Sequence, residues 1–91
     1  MALVLSMRLE EDFFVGDERF VVVEIKSASH VRVQHGEKVL DLYTSRATPV
    51  LPNVRLSVAD RGQLGLARIA IEAPKSVTIL RGANYRKLSG Q

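Results

Sequence analysis

Cysteine and tryptophan are both absent from this 91-residue chain. Without cysteine there are no disulfides, no thiolate chemistry and no Cys-ligated zinc. That usage fits a reducing compartment, and the cytoplasm is the expected location. No apolar run approaches the about 20 residues that a membrane-spanning helix needs. The apolar start, Met1 to Met7, is followed by Arg8 and then by Glu10, Glu11 and Asp12. A secretory signal carries its positive charge ahead of the apolar stretch, so the start fits that pattern poorly. The chain also lacks a P-loop, a G-x-G-x-x-G turn and an H-E-x-x-H pair. None of its serines has a nucleophile-elbow context. His30 and His35 lie five apart with no further ligands at metal spacing, and they read as solvated turn residues. Glu10-Glu11-Asp12 reads as a solvated acidic loop rather than a catalytic carboxylate pair. Enzyme chemistry, a cofactor and a bound metal are therefore not expected.

Aromatic side chains are few: Phe13, Phe14, Phe20, Tyr43 and Tyr85. The phenylalanines sit within apolar runs and read as core. RNA readers that stack bases on rows of exposed rings are thereby disfavoured. Nucleic-acid binding would have to use strand-edge backbone groups, aliphatic contacts and a few arginines.

What is present is the balance of an ordinary globular domain, 46% apolar and 25% charged. The length accommodates one domain, 1–91, with a modest core. Net charge is +3, but its placement matters more. Lys75, Arg81, Arg86 and Lys87 follow Glu72 with no acid among them. This basic end suggests an anionic partner.

The pattern along the chain is that of strands. Phe20 to Ile25 is β-branched and apolar on both faces, which suits a strand buried on both sides. His30 to Gln34 alternates with period two, and His35-Gly36-Glu37-Lys38 reads as a hairpin loop into Val39 to Tyr43. Pro49 and Pro52 make residues 44–53 a loop or irregular edge. Val54 to Val58 alternates, Asp60 to Gln63 is a turn, and Leu66 to Ala73 is a strand stopped by Pro74. Ser76 to Leu80 is the last strand, and Ala83 to Leu88 forms at most a short C-terminal helix. The fold class is all-β, mainly antiparallel. Val31-Arg32-Val33 and Ala67-Arg68-Ile69 share one small pattern, too short on its own to define a repeat.

Several stretches together carry a family likeness. Leu3-Val4-Leu5-Ser6-Met7-Arg8 is an aliphatic first strand ending in arginine. Phe14-Val15-Gly16-Asp17 is an apolar-apolar-Gly-Asp turn. Arg68-Ile69-Ala70-Ile71-Glu72-Ala73-Pro74-Lys75-Ser76-Val77-Thr78-Ile79-Leu80-Arg81 follows a Val-Arg-Ile…Ala-Pro-basic-x-Val-x-aliphatic-x-Arg pattern, and Tyr85 comes after it. In these features the chain resembles the carbon storage regulator (CsrA/RsmA) family of bacterial RNA-binding translational regulators. The likeness covers roughly residues 3–34 and 66–88. About 35–65 is an inserted segment by this comparison, expected to add a β-hairpin that serves as extra core of the same domain or, in the alternative, offers a new apolar face or sheet edge. Met7, Leu80 and Gly82 depart from the family pattern.

The resemblance implies an intertwined homodimer in which the first strand of one subunit lies beside the last strand of the other. It implies a GGA-containing RNA loop as ligand, in mRNA leaders or small regulatory RNAs. Val4, Leu5, Ala73, Pro74, Val77 and Ile79 would then shape the base pocket. Arg8 of one chain and Arg81 of the other would contact the RNA, and regulation would work by blocking translation or altering mRNA stability. The alternative is a CsrA-like protein-interaction module that has lost or changed RNA binding and acts through the 35–65 segment, as the partner or antagonist of another protein. Non-specific DNA binding is disfavoured by the low net charge.

Overall fold

Four two-residue turns among the described residues organise the strands, one of them Ala28-Ser29 between the third and fourth strands. The computed structural model describes residues 2–59 and 66–88. β1 (Ala2–Met7) leads into β2 (Asp12–Val15), and β2 pairs antiparallel with β3 (Glu18–Ser27). The connection is Gly16-Asp17, with Gly16 at φ +62°. Such a turn matches the twist of the strands, and glycine takes that conformation without strain. β4 (His30–His35) and β5 (Lys38–Tyr43) form the next hairpin across Gly36-Glu37, again with φ +62° at the glycine. β6 (Thr48–Leu51) and β7 (Val54–Val58) join through Pro52-Asn53, where Asn53 supplies the φ of +62°. β8 (Ala67–Glu72), β9 (Ile79–Arg81) and α1 (Gly82–Leu88) complete the chain.

The strands form two antiparallel sheets, ordered β1-β8-β7-β6 and β5-β4-β3-β2-β9. One apolar core lies between them. Phe13, Phe20, Val22, Val31, Val33 and Leu42 come from the five-stranded sheet, and Met7, Leu56, Val58, Ala67, Ile69 and Ile71 from the other. β4, β7 and β8 bury alternate residues, as β7 does with Val54, Leu56 and Val58, whereas β2 buries all four of its residues.

The two sheets are quasi-equivalent. β2-β3-β4 and β6-β7-β8 are both three-stranded meanders. β5 adds to the outer side of β4, and β1 adds to the outer side of β8. Val31 and Val33 pair with Leu42 and Leu40, just as Ala67 and Ile69 pair with Met7 and Leu5. On their inner sides Val33 pairs with Val22 and Ile69 with Val58. The three-residue likeness between Val31-Arg32-Val33 and Ala67-Arg68-Ile69 thus marks matching places in two halves. β1, first in sequence, belongs with the second half. β9 breaks the equivalence: it lies beside β2, while no described strand lies on the outer side of β6.

The all-β, antiparallel class and the short C-terminal helix are as expected. Two local expectations change, at β3 and at the last strand. The β3 stretch is not buried on both faces, for Val23 is 37% exposed while Phe20 and Val22 are sealed. Its outer face meets water, so its β-branched residues there serve strand propensity rather than packing. Residues 44–53 are as expected, a loop at 44–47 and then an irregular edge strand, β6, whose register shifts between Pro49 and Leu51. The described part of the 35–65 segment contributes to the core, through Leu42, Val54, Leu56 and Val58. The last strand begins later than expected, at Ile79, because residues 75–76 turn and Val77 N–H donates to Pro74 O at 3.0 Å. The turn expected at Asp60 to Gln63 lies outside the described residues.

Candidate functional site

Of the eight residues singled out by sequence, Val4 and Leu5 lie in β1, Arg8 follows it and Arg81 reaches it, while Ala73, Pro74, Val77 and Ile79 belong to the stretch from the end of β8 into β9. β1 is the edge strand of its sheet, paired on one side by β8 in the register Ala2↔Glu72 to Met7↔Ala67. The chain therefore leaves β8 beside the start of β1. It returns at the other end, where the Arg81 guanidinium donates from Nη1 to the Ser6 carbonyl at 2.7 Å and lies 3.6 Å from the Met7 sulfur. Residues 73–81 accordingly span β1 from one end to the other. β9 itself is fixed on the opposite sheet, with Arg81 paired to Phe13 and Ile79 to Val15. Arg81 thus ties one sheet to the other across 75 positions of sequence.

Exposure sorts the eight into three groups. Val4 (41% exposed), Arg8 and Pro74 face solvent. Leu5, Val77 and Ile79 are half-buried and pack against the core, and Arg81 is half-buried at the junction. Ala73 is sealed in the core, so it presents no surface to a ligand. Arg8 follows β1 directly, and its N–H is held by Glu11 Oε1 at 2.6 Å.

A pocket of about 240 Å³ adjoins the Arg81 end, lined by Met7, Glu10, Glu11, Arg81 and Arg86 among others. Asp12, expected from the sequence in a solvated loop, also lines it. Asp12 is instead only 7% exposed. Arg86 donates to both of its oxygens, at 2.9 and 3.2 Å, and Arg19 Nε donates to Oδ2 at 2.7 Å. The Arg86 hydrogen bonds, aided by Arg19 and opposed by desolvation, hold the carboxyl down at about 2. Gly82 leaves the space this arrangement needs, because a Cβ there would overlap the Asp12 carboxylate. Nothing in local spacing signals the cluster, since one partner lies 7 and the other 74 residues away.

The histidines differ from expectation too. They stand at the two ends of β4 and are half-buried. His35 Nε2 lies 3.0 Å from Glu18 Oε1, and its ring stacks on Phe20. His30 Nε2 lies 2.8 Å from Asp41 Oδ1, and its ring stacks on Tyr43. Asp41 also receives Arg32 Nε at 2.8 Å, and together these partners, His30 first, lower its pKa. Among the described residues no three His, Asp or Glu side chains converge as a metal site, and no helix is long and apolar enough to cross a membrane. No protein-family model matches the chain, and no curated protein or solved structure matches it significantly.

Proposed function

We propose that this chain is an RNA-binding post-transcriptional regulator of the carbon storage regulator type, acting in the cytoplasm on GGA-containing loops in mRNA leaders. The observation that carries the reading is the contact between Arg81 and the Ser6 carbonyl. It sets an arginine fork, an exposed aliphatic strand edge at Val4 and the Pro74–Ile79 connection around one strand. Unpaired bases offer edges that strand-margin backbone groups and a planar guanidinium can read, and Arg8 and Lys75 add positive charge for phosphates. The proposed action is occlusion: bound protein covers a ribosome-binding site or changes the decay of the transcript. No covalent step is involved.

The homodimer belongs to the same proposal in an altered role. β1 lies beside β8 of its own chain, and β9 beside β2. The groove is therefore framed within a single chain. A second copy would contribute a second groove and avidity on RNAs with two motifs, rather than completing the first. The protein-interaction alternative rests on the exposed edge of β5, where Val39 is 53% exposed.

The test is a titration of the full chain against an RNA hairpin with a GGA loop, alongside the same hairpin with that loop changed. Selective binding of the GGA loop is expected. A log–log salt slope of about −2 is also expected, as for roughly three single-strand phosphate contacts. Equal or undetectable binding of both hairpins at low salt would overturn the reading in favour of the protein-interaction module.

A further inference from the structure

Matching places in two halves need not do the same thing, but here they offer related surfaces. β5 is an edge strand of its sheet, as β1 is of the other. By register, Val39 stands where Val4 stands, and both are exposed. Leu40 matches Leu5, and Tyr43 follows buried Leu42 as Arg8 follows buried Met7. No described strand supplies a counterpart of Arg81 beside this edge. In its place stands a stack of planar groups. The His30 and Tyr43 rings lie 4.5 Å apart between centroids at 24°, and the Arg46 guanidinium carbon sits 5.4 Å from the centre of the Tyr43 ring. An open pocket of about 410 Å³ is lined by Tyr43, Ser45 and Arg46. Arg46 is exposed and forms no ion pair with any described residue, whereas the nearby Asp41 is already held by His30 and Arg32.

From this we infer that the β5 edge carries a second contact for single-stranded RNA, non-identical to the β1 groove, in which a base stacks at Tyr43 and Arg46 takes the adjoining phosphate. Aromatic rings and arginine planes are the usual platforms for unstacked bases. The cation–π contact shows that the Tyr43 face already receives a flat cationic group. The inference rests on the RNA-binding reading of the β1 groove and extends it: one chain would hold two motifs through two chemically different sites, the second less dependent on arginine–base hydrogen bonds.

The experiment counts GGA-loop hairpins bound per chain by native mass spectrometry, with calorimetric titration for affinity. Two hairpins per wild-type chain are expected. Arg46→Ala, which changes an exposed side chain, should reduce the count to one or weaken the second event about tenfold. Arg81→Ala should remove the other event. Tyr43→Ala should act as Arg46→Ala does, and a matched circular dichroism spectrum controls for its effect on the β4–β5 hairpin. One hairpin per chain, sensitive to Arg81 but not to Arg46, would overturn this inference and leave the first site standing. A drop in chain–chain association on Arg46→Ala, with RNA binding unchanged, would assign the edge to protein contact and overturn it as well. Binding of no hairpin at all would remove both readings.

Discussion

Arg81 shows how much a single side chain can join. Its backbone belongs to β9 on the five-stranded sheet, while its guanidinium caps a carbonyl of β1 on the other. Nη1 is thereby used, on the Ser6 carbonyl and the Met7 sulfur, and the planar fork keeps its other nitrogens for a ligand. Arg81→Ala should weaken binding of the GGA hairpin by about 1–3 kcal/mol, measured by gel shift. Arg81→Lys should recover little of that loss, since an ammonium keeps the charge but not the fork. Retention of full affinity by the alanine variant would remove Arg81 from the site. The residue was legible in sequence only through the motif it closes. Its role in bridging the sheets was not, because no local pattern reports which carbonyl a remote side chain will reach.

At the scale of elements, α1 is the clearest dependant. Seven residues are too few to hold a helix in water without tertiary support. Its supports are the Tyr85 ring stacked on Phe14, 3.7 Å between centroids, and the Arg86 fork on Asp12. Asp12 titrates at about 2 in the folded chain against an ordinary 3.8. Its depressed pKa means a contribution present above the unfolded value and lost as pH falls through the folded one. That window runs from about pH 4 down to about pH 2 and is worth about 2 kcal/mol. The urea midpoint of the wild type should fall across it, while Asp12→Asn should begin lower and show a flatter profile there. Parallel pH profiles for the two proteins would show that the clamp contributes nothing. Elements with local signals were readable in advance. Gly16-Asp17 and His35 to Lys38 announced their hairpins, and Val54 to Val58 its alternation. The both-face burial assigned to β3 failed because apolar β-branched residues serve an exposed antiparallel face as well as a core one. The Asp12 cluster was unreadable because it is assembled from three elements.

For the whole molecule, the radius of gyration of 12.1 Å is what one closed domain of this length should have, about 12 Å. Closure is achieved with the ends of the chain reversed between the halves. The leading strand, β1, completes the sheet built by β6, β7 and β8, and the trailing strand, β9, extends the sheet built by β2 to β5. The only stretch joining β5 to β6 is residues 44–47, which hold no regular structure and expose Ser45, Arg46 and Ala47. A single nick there would not free two pieces. Each fragment would still wear the other's terminal strap, one from the front of the chain and one from the back. Fragments 1–45 and 46–91, produced together, should therefore travel as one particle in gel filtration and melt as one. Separate elution of two soluble fragments would mean that the straps are held more loosely than their ladders indicate.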